Sequence, residues 1–201
     1  MTKTIDFYHD LASPNAYLAN NVLPGIAAKH GATINYIPVL LGGVFKATNN
    51  QAPWMAFANI KEKMSYMQVE IKRFVRKHGL DKYKLNPHFP INTITLSRAA
   101  IAAKEAGMIE KYIEAGQELM WEDGLNMGDK DVFVEGFNSK GLDGAWLLEQ
   151  TQRPEIKAKL FENTEAAVKR GVFGIPTFFV GDEIFFGKDT IRDVEDELTL
   201  A

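Results

Sequence analysis

The sequence predicts an α/β protein in which the two ends of the chain build one sheet and a long helical segment is inserted between them. Three observations support this fold class. Runs of β-branched and aromatic residues, typical of strands, lie at residues 5–9, 33–41 and 176–186. Residues 60–151, between them, show the apolar spacing of buried helices. Of the 201 residues, 46% are apolar and 24% charged, which is typical of a folded protein with a hydrophobic core.

The composition excludes several classes of function. The chain has 23 Lys and Arg against 26 Asp and Glu, a net charge of −3, which argues against a nucleic-acid partner held by counterion release. It has no cysteine, which excludes disulfides, thiolate zinc sites and dithiol exchange by its own side chains. The four histidines lack the spacing of metal ligands, so no metal is expected.

The N-terminal residues do not form the pattern of a secretory signal. After Lys3, the acidic residues Asp6 and Asp10 interrupt the apolar stretch that a signal peptide needs. Charged residues also break every later apolar stretch before the ~20 residues that span a bilayer. We therefore expect a cytoplasmic protein with no membrane partner.

The first part of the chain predicts a β-α-β unit. Ile5–His9 is the first strand, and Ser13-Pro14 begins a helix, because Ser is a favoured N-cap and Pro is favoured at the first helical position. The helix is expected to continue to Lys29 with a kink at Pro24. The second strand covers Thr33–Leu41, and a helix between two such strands implies parallel pairing with a right-handed crossover.

The middle of the chain is predicted to be helical after a loop at 42–53, where Gly, Asn and Pro interrupt any periodicity. The predicted helices cover residues 60–79, 93–107, 108–122, 129–138, 142–151 and 154–171. We therefore expect a discontinuous sheet domain at 1–50 and 153–201, with an inserted helical domain at 51–152.

The C-terminal part returns to strands. Pro176–Val180 and Glu183–Phe186 are expected to form a hairpin around Gly181, because Gly accepts the positive φ of a tight turn. Residues 187–190 then break the strand and begin a last helix that runs to Leu198. The complete order is that of a thioredoxin-like domain with a large inserted all-helical lobe. In that fold the reactive group lies at the N-terminus of the first helix, where unpaired N–H groups stabilise negative charge, and here the residue is Ser13.

Three motifs, in the same order and over nearly the whole chain, resemble one protein family. They are Asp6-Phe7-Tyr8 with SPNAYLA at 13–19, NPHFPINT at 86–93, and FGIPTFFVGDE at 173–183. Together they resemble the 2-hydroxychromene-2-carboxylate isomerases, relatives of kappa-class glutathione transferases and DsbA-like oxidoreductases. The resemblance implies a cis peptide bond before Pro176, glutathione as the supplier of a thiol, and a homodimer.

The implied chemistry suits a chain that has no thiol of its own. A glutathione sulfur at the end of the helix that begins at Pro14 would have its pKa lowered by the helix dipole and by a hydrogen bond from Ser13. Addition of this thiolate to a conjugated aromatic 2-hydroxychromene-2-carboxylate-like substrate would create a rotatable single bond, and elimination would return the thiol. The expected activity is a glutathione-dependent isomerisation with Ser13 as the catalytic residue, although N-capping alone also explains Ser13.

The resemblance also implies where glutathione binds. The backbone before Pro176 could pair with a tripeptide as a short extra strand, and Asp189 and Lys188 could meet its ammonium and carboxylate groups. Capping of the last helix explains Asp189 equally well. The residues expected to bind glutathione are Ser13, Ile175, Pro176, Phe186, Gly187, Lys188 and Asp189.

The substrate side is expected to supply a cation for a carboxylate, amide donors and an aromatic wall. A solvated lysine, a tryptophan that anchors a helix and a capping asparagine are the alternative interpretations. The expected residues are Lys46, Asn49, Pro53, Trp54, Phe89 and Asn92. Two other functions stay open: a kappa-type glutathione transferase, and a thioredoxin-like module that binds partners without catalysis.

Overall fold

The computed structural model describes residues 3–200, and within them the sheet has four strands in the order β2-β1-β3-β4. β1 (Thr4–His9) pairs in parallel with β2 (Thr33–Pro38). On its other side β1 pairs antiparallel with β3 (Thr177–Val180), and β4 (Glu183–Phe186) lies antiparallel to β3. The sheet therefore joins the two ends of the chain, as the sequence predicts.

Helices form most of the rest of the described chain. They are α1 (Pro14–Asn20), α2 (Leu23–Lys29), α3 (Leu41–Thr48), α4 (Pro53–Ala56), α5 (Lys63–His78), α6 (Ile94–Glu105), α7 (Ile109–Trp121), α8 (Lys130–Ser139), α9 (Gly144–Gln150), α10 (Pro154–Lys169) and α11 (Ile191–Leu200). A short 3-10 turn, Lys188–Thr190, precedes α11. Each of the six helices predicted between residues 60 and 171 is present, with ends displaced by at most three residues.

The single helix predicted from Pro14 to Lys29 is wrong, because the structure has two helices there. α1 ends at Asn20, and α2 begins at Leu23 with Pro24 in its first turn. Proline is favoured at that position, where its missing N–H is not needed for an intrahelical hydrogen bond. Pro24 therefore begins a helix instead of kinking one.

The loop predicted at residues 42–53 is also wrong, since α3 and α4 occupy much of it, and β2 ends at Pro38 instead of Leu41. The N-terminus of α3 is stabilised from distant parts of the chain. The backbone N–H of Leu41 donates to Asp10 Oδ2 at 2.8 Å, and that of Leu40 to Thr164 Oγ1 at 3.1 Å. A Cβ on Gly43 would lie 3.1 Å from Thr164 Cγ2, so this glycine permits close packing of α3 on α10 and does not mark a turn.

The hydrophobic core extends from the sheet into the inserted helices as one cluster. Phe7 and Phe178 in the sheet belong to the same buried cluster as Tyr112 and Trp121 of α7. This core crosses the predicted domain boundaries at 51 and 152, so it does not divide the chain there, and the boundaries stay a prediction. Among residues 3–200, no helix is both long enough and apolar enough to cross a bilayer.

Candidate active site

Ser13 lies at the junction of α1 with the segment that precedes β3. It is the N-cap of α1, and its Oγ accepts a hydrogen bond from the backbone N–H of Ala16 at 3.2 Å. The same hydroxyl donates to the carbonyl oxygen of Ile175 at 3.0 Å, and Ser13 is only 4% exposed. The capping interpretation of Ser13 is thus confirmed, and the residue in addition bridges two segments that are 162 positions apart.

The segment beside Ser13 has the expected cis peptide bond between Ile175 and Pro176. The backbone N–H of Gly187 donates to the carbonyl of Pro176 at 2.9 Å, which brings the end of β4 to this segment. Gly174 permits the close approach of Phe186, because a Cβ would lie 2.7 Å from its ring. The structure therefore brings Ser13 together with four of the residues predicted to bind glutathione: Ile175, Pro176, Phe186 and Gly187.

The last two predicted glutathione residues, Lys188 and Asp189, are paired with each other. The ammonium of Lys188 lies 2.6 Å from each carboxylate oxygen of Asp189. The Lys188 side chain is 4% exposed and lies over the ring of Phe74, whereas the Asp189 side chain is 69% exposed. Both residues line a cavity of about 700 Å³ between α2, α5 and α11, here called the α5–α11 cavity, and Ser13 is not among its lining residues.

On the substrate side, a series of aromatic contacts leads from α4 toward Ser13. The rings of Trp54 and Phe89 meet edge to face with centroids 5.0 Å apart, and Phe89 lies 5.8 Å from the ring of Trp121. The indole N–H of Trp121 donates to the carbonyl of Leu11 at 3.1 Å, in the turn before Ser13. Pro53 is the first residue of α4 and directly precedes Trp54. Trp54, Phe89 and Pro53 therefore belong to one group.

The two predicted asparagines have local structural roles. Asn49 ends α3 with a φ of 53°, a left-handed conformation that asparagine tolerates better than most residues. The Oδ1 of Asn92 accepts a hydrogen bond from the N–H of Ile94 at 3.0 Å, at the start of α6. Because Thr93 is the N-cap of α6, Asn92 is not the cap that its sequence position allowed, and it instead stabilises the turn that leads into the helix.

The sequence places Asn50 in a segment that could supply amide donors, but Asn50 is not among the predicted site residues. Its Nδ2 donates to the carbonyl of Phe173 at 2.8 Å, so it connects the segment after α3 with the segment that contains Pro176. The Asn49-Asn50 pair was the available signal, but the sequence does not indicate which asparagine faces the site.

Lys46 lines a cavity of its own. It lines a cavity between α3, α6 and α10, here called the α3–α10 cavity, together with Arg98 and Lys157. None of the other five predicted substrate residues lines this cavity.

Two buried ionisable residues, His9 and Asp10, precede the Ser13 turn, and sequence reasoning gave neither a role. Burial lowers the pKa of His9 from 6.5 to about 3, so the imidazole is neutral and its Nε2 accepts from the amide of Gln117 at 2.9 Å. Burial raises the pKa of Asp10, whose carboxylate accepts from the N–H groups of Ala12 at 2.9 Å and Leu41 at 2.8 Å. These bonds fix the turn that presents Ser13. Across residues 3–200, no group of three or more His, Asp and Glu side chains is placed to hold a metal ion.

The family relationship follows from sequence comparison. A family profile described as a DSBA-like thioredoxin domain matches residues 4–199. A 2-hydroxychromene-2-carboxylate isomerase from Sphingobium xenophagum is 30% identical, over 98% of this chain and 99% of its own. Glutathione S-transferase kappa 1 of Caenorhabditis elegans is 26% identical, over 96% of this chain and 90% of its own.

Solved structures support the same fold. The structure of a 2-hydroxychromene-2-carboxylate isomerase matches with a TM-score of 0.84 at 26% identity, over 98% of this chain and 95% of that one. A probable DsbA oxidoreductase from Streptomyces coelicolor matches with a TM-score of 0.76 at 17% identity, over 98% of this chain and 89% of its own, which bears on the fold alone. The predicted thioredoxin-like fold is therefore confirmed, and the chain belongs to the DSBA-like thioredoxin domain family, with 2-hydroxychromene-2-carboxylate isomerases and kappa glutathione transferases as its relatives.

Proposed function

We propose that this protein is a glutathione-dependent isomerase of a 2-hydroxychromene-2-carboxylate-like aromatic acid. The observation that carries the proposal is the 3.0 Å hydrogen bond from the Ser13 hydroxyl to the carbonyl of Ile175. It holds one hydroxyl at the N-terminus of α1 and next to the cis bond before Pro176. Full-length relatives named as isomerases and as kappa glutathione transferases support the class of reaction.

The residues around Ser13 fit a polar ligand such as glutathione. Within residues 3–200, the Oδ1 atom of Asn15 is buried and has no hydrogen-bond partner, two positions after Ser13. A buried acceptor without a partner is unfavourable, and an amide or ammonium donor of a peptide would satisfy it. The residues proposed to hold glutathione are Ser13, Ile175, Pro176, Phe186, Gly187, Lys188 and Asp189.

In this proposal Ser13 exchanges its hydrogen-bond acceptor. The carbonyl of Ile175 accepts an amide N–H of the bound tripeptide, as at the edge of a sheet, and so releases the hydroxyl of Ser13. Ser13 then donates to the sulfur and stabilises its ionised form. Because α1 has only seven residues, less than the sequence predicted, we assign more of this stabilisation to the hydroxyl than to the helix dipole. Glutathione supplies the thiolate that adds reversibly to the conjugated substrate and lets the former double bond rotate.

At the other end of the glutathione site, the pair formed by Lys188 and Asp189 provides one charge of each sign. The carboxylate of Asp189 is exposed and can meet the ammonium of the γ-glutamyl group, and Lys188 can then turn to a carboxylate. Each new bond replaces one half of the existing pair, so neither charge stays unpaired.

On the substrate side, we propose that Trp54 and Phe89 form the wall for the aromatic ring. Pro53 holds Trp54 in place, and Asn49 and Asn92 offer amide groups at the ends of α3 and α6. Lys46, which the sequence predicts to pair with the substrate carboxylate, lines the α3–α10 cavity instead, so the proposed substrate side does not include it. The bond from Asn50 to the Phe173 carbonyl keeps this side adjacent to the glutathione side.

Calorimetric titration with glutathione, followed by an isomerisation assay with and without glutathione, tests the proposal. We expect saturable binding, and turnover that requires glutathione. A matched control for Ser13→Ala is Ser139→Ala, because the hydroxyl of Ser139 also donates to a backbone carbonyl, that of Gly136, at 2.7 Å. Absence of glutathione binding to the folded protein would overturn the proposal.

Two further functions have support of their own. A kappa-type transferase is favoured by the relatives of that name, and it would release a stable glutathione conjugate in place of an isomer. A binding module without catalysis is favoured by Ile184 and Phe186 of β4, which are 42% and 43% exposed. Chromatographic analysis of the products separates the isomerase from the transferase, and the absence of any turnover would leave the binding module.

We also propose that the protein is a homodimer that pairs through α4, α5 and the segment between them. Met55, Ile60, Tyr66 and Val69 are between 42% and 59% exposed there, which is unusual for large apolar side chains so close together. Sedimentation equilibrium tests this proposal: a monomer at micromolar concentration would overturn it, and Val69→Glu should dissociate the dimer.

A further inference from the structure

We propose that the α3–α10 cavity is a second ligand site that binds a hydrophobic carboxylate independently of glutathione. The cavity has a volume of about 500 Å³ and lies where α3, α6 and α10 meet. That size is within the range of small-molecule sites in proteins. The inference goes beyond the proposed isomerase activity, because it concerns a cavity that none of the seven proposed glutathione residues lines.

The walls of the cavity are apolar. Leu40 precedes α3, Ile94 begins α6, and Leu160 and Phe161 belong to α10. Leu160 is 5% exposed and lies in a small buried cluster, whereas Phe161 is 62% exposed. A large aromatic side chain left this exposed beside an apolar cavity offers a surface that an apolar ligand would cover. The body of the ligand is therefore a ring system or a short hydrocarbon chain.

Three cationic side chains from three different helices surround these apolar walls. They are Lys46 of α3, Arg98 of α6 and Lys157 of α10, and Glu165 is the acidic residue of the lining. Within the described residues, none of the three cations forms an ion pair with a carboxylate. The positive charges of these three side chains are therefore available to an anionic ligand.

Arg98 provides the second indication of a ligand. Its Nε is buried and has no hydrogen-bond partner among residues 3–200. A guanidinium N–H without an acceptor is unfavourable. Rotation of the Arg98 side chain toward a carboxylate in the cavity would pair the planar group through two parallel hydrogen bonds. An apolar body with one carboxylate satisfies both the walls and Arg98.

The cavity is separate from the glutathione side. Lys188 and Asp189 line the α5–α11 cavity, which has no lining residue in common with the α3–α10 cavity. A ligand in one cavity therefore does not displace a ligand from the other. Lys46 is the single predicted substrate residue that lines this cavity.

Calorimetric titration with 1-naphthoate and with decanoate, each with and without saturating glutathione, tests the inference. We expect saturable binding of at least one acid, with a dissociation constant that glutathione changes by less than about twofold. The neutral analogue 1-naphthalenemethanol should bind at least about tenfold more weakly, because it lacks the charge that pairs with Arg98. The two acids distinguish a preference for a ring from a preference for a chain.

Two variants and a matched control locate the site. Arg98→Met and Lys157→Met should each weaken binding of the preferred acid about tenfold. Lys159→Met is the control, because Lys159 lies on the same helix, pairs with Glu162 and does not line the cavity, so its dissociation constant should stay within about twofold.

Three results would overturn the inference: no binding of either acid to the folded protein, equal effects of Lys157→Met and Lys159→Met, or displacement of the acid by glutathione. Should Arg98→Met fail to fold, Lys157→Met and Arg98→Lys decide the matter, since Arg98→Lys keeps the charge and should retain most of the affinity. These titrations contain no isomerase substrate, so they do not depend on the proposed activity.

Discussion

The proposed glutathione side and the proposed substrate side of the candidate site are held together in different ways. On the glutathione side, buried hydrogen bonds join the elements: Ser13 to Ile175 at 3.0 Å and Gly187 to Pro176 at 2.9 Å. On the substrate side, Trp54 and Phe89 meet through ring packing at 5.0 Å, and Trp54 is 42% exposed. Hydrogen bonds fix distance and direction, whereas partly exposed ring contacts tolerate small shifts. The glutathione side is thus preorganised, and the substrate side can adapt to ligands of different shape.

The strongest expected effect comes from removal of the Ser13 hydroxyl. In the Ser13→Ala variant, kcat should fall about 100-fold, because a positioned hydrogen-bond donor to developing charge typically contributes that much. The dissociation constant of glutathione should change less than about threefold, since most of its proposed contacts remain. Stability should also fall, by about 1 kcal/mol, because the N-cap of α1 is lost.

Ser13→Gly separates these two roles of Ser13. Glycine costs only a few tenths of a kcal/mol as an N-cap but has no hydroxyl. If the hydroxyl is catalytic, Ser13→Gly loses as much kcat as Ser13→Ala while keeping more stability. Wild-type turnover in Ser13→Gly would limit Ser13 to capping and would remove the basis for the preorganised glutathione side.

The glutathione side was also the more predictable half, because its signals are local in the sequence. Ser13-Pro14 marks a helix start through the conformations of two adjacent residues. Gly181 marks a hairpin turn in the same way, and the structure has its φ at +58°. The segment that contains Pro176 directly precedes that hairpin, so the hairpin signal also locates this segment. The element order followed from such signals together with apolar periodicity.

The missed features depend on residues far away in the chain. The sequence predicts a loop where α3 forms. The N-terminus of α3 is stabilised by hydrogen bonds to Asp10 and Thr164, and no local sequence pattern reveals these contacts. The bond between Asn50 and the carbonyl of Phe173 connects residues 123 positions apart. The resemblance predicts Lys46 on the substrate side with Trp54, but Lys46 lies on α3 and lines another cavity. Tertiary contacts decided each of these cases.

The second prediction concerns acid stability beneath the glutathione side. Burial lowers the pKa of His9 from 6.5 to about 3, so between these pH values the unfolded chain binds a proton that the folded protein does not. The contribution of His9 to the free energy of unfolding should therefore be fully present above pH 6.5. It should decrease as the pH falls, by up to about 1.4 kcal/mol per pH unit. Burial raises the pKa of Asp10 above 3.8, so Asp10 opposes this slope in the lower part of the window.

Urea unfolding at pH 7, 6 and 5 measures that slope. The His9→Gln variant should lose most of the decrease toward acid, and the remainder comes from His78, whose pKa burial and Lys77 also lower. Asp10→Asn should show the slope of His9 without opposition. An unchanged slope in His9→Gln would contradict the assignment. The loss of activity on acidification should follow the loss of folded protein, since His9 acts through the turn that holds Ser13.

A smaller effect is expected from Asp189→Asn. If Asp189 holds the ammonium of glutathione, this change should raise the dissociation constant of glutathione about tenfold. N-acetylglutathione has no ammonium, so its affinity should be equal for the wild type and the variant. Asp193→Asn in the first turn of α11 is the matched control and should leave both constants unchanged. A tenfold loss with both ligands would show that Asp189 acts by pairing with Lys188 and not by contact with the ammonium.

The smallest effect is expected on the adaptable substrate side, from Trp54→Ala. Loss of one aromatic contact should raise KM about fivefold with little change in kcat, since the wall binds the ring and does not take part in the proposed thiol addition. Leu85→Ala is the control, because Leu85 is similarly exposed, at 55%, and lies outside both the aromatic group and the proposed dimer surface. A fall in kcat as large as that of Ser13→Ala would mean that Trp54 also fixes the reacting geometry. The two sides would then be equally preorganised, and the substrate range would be set by rigid fit and not by an adaptable wall.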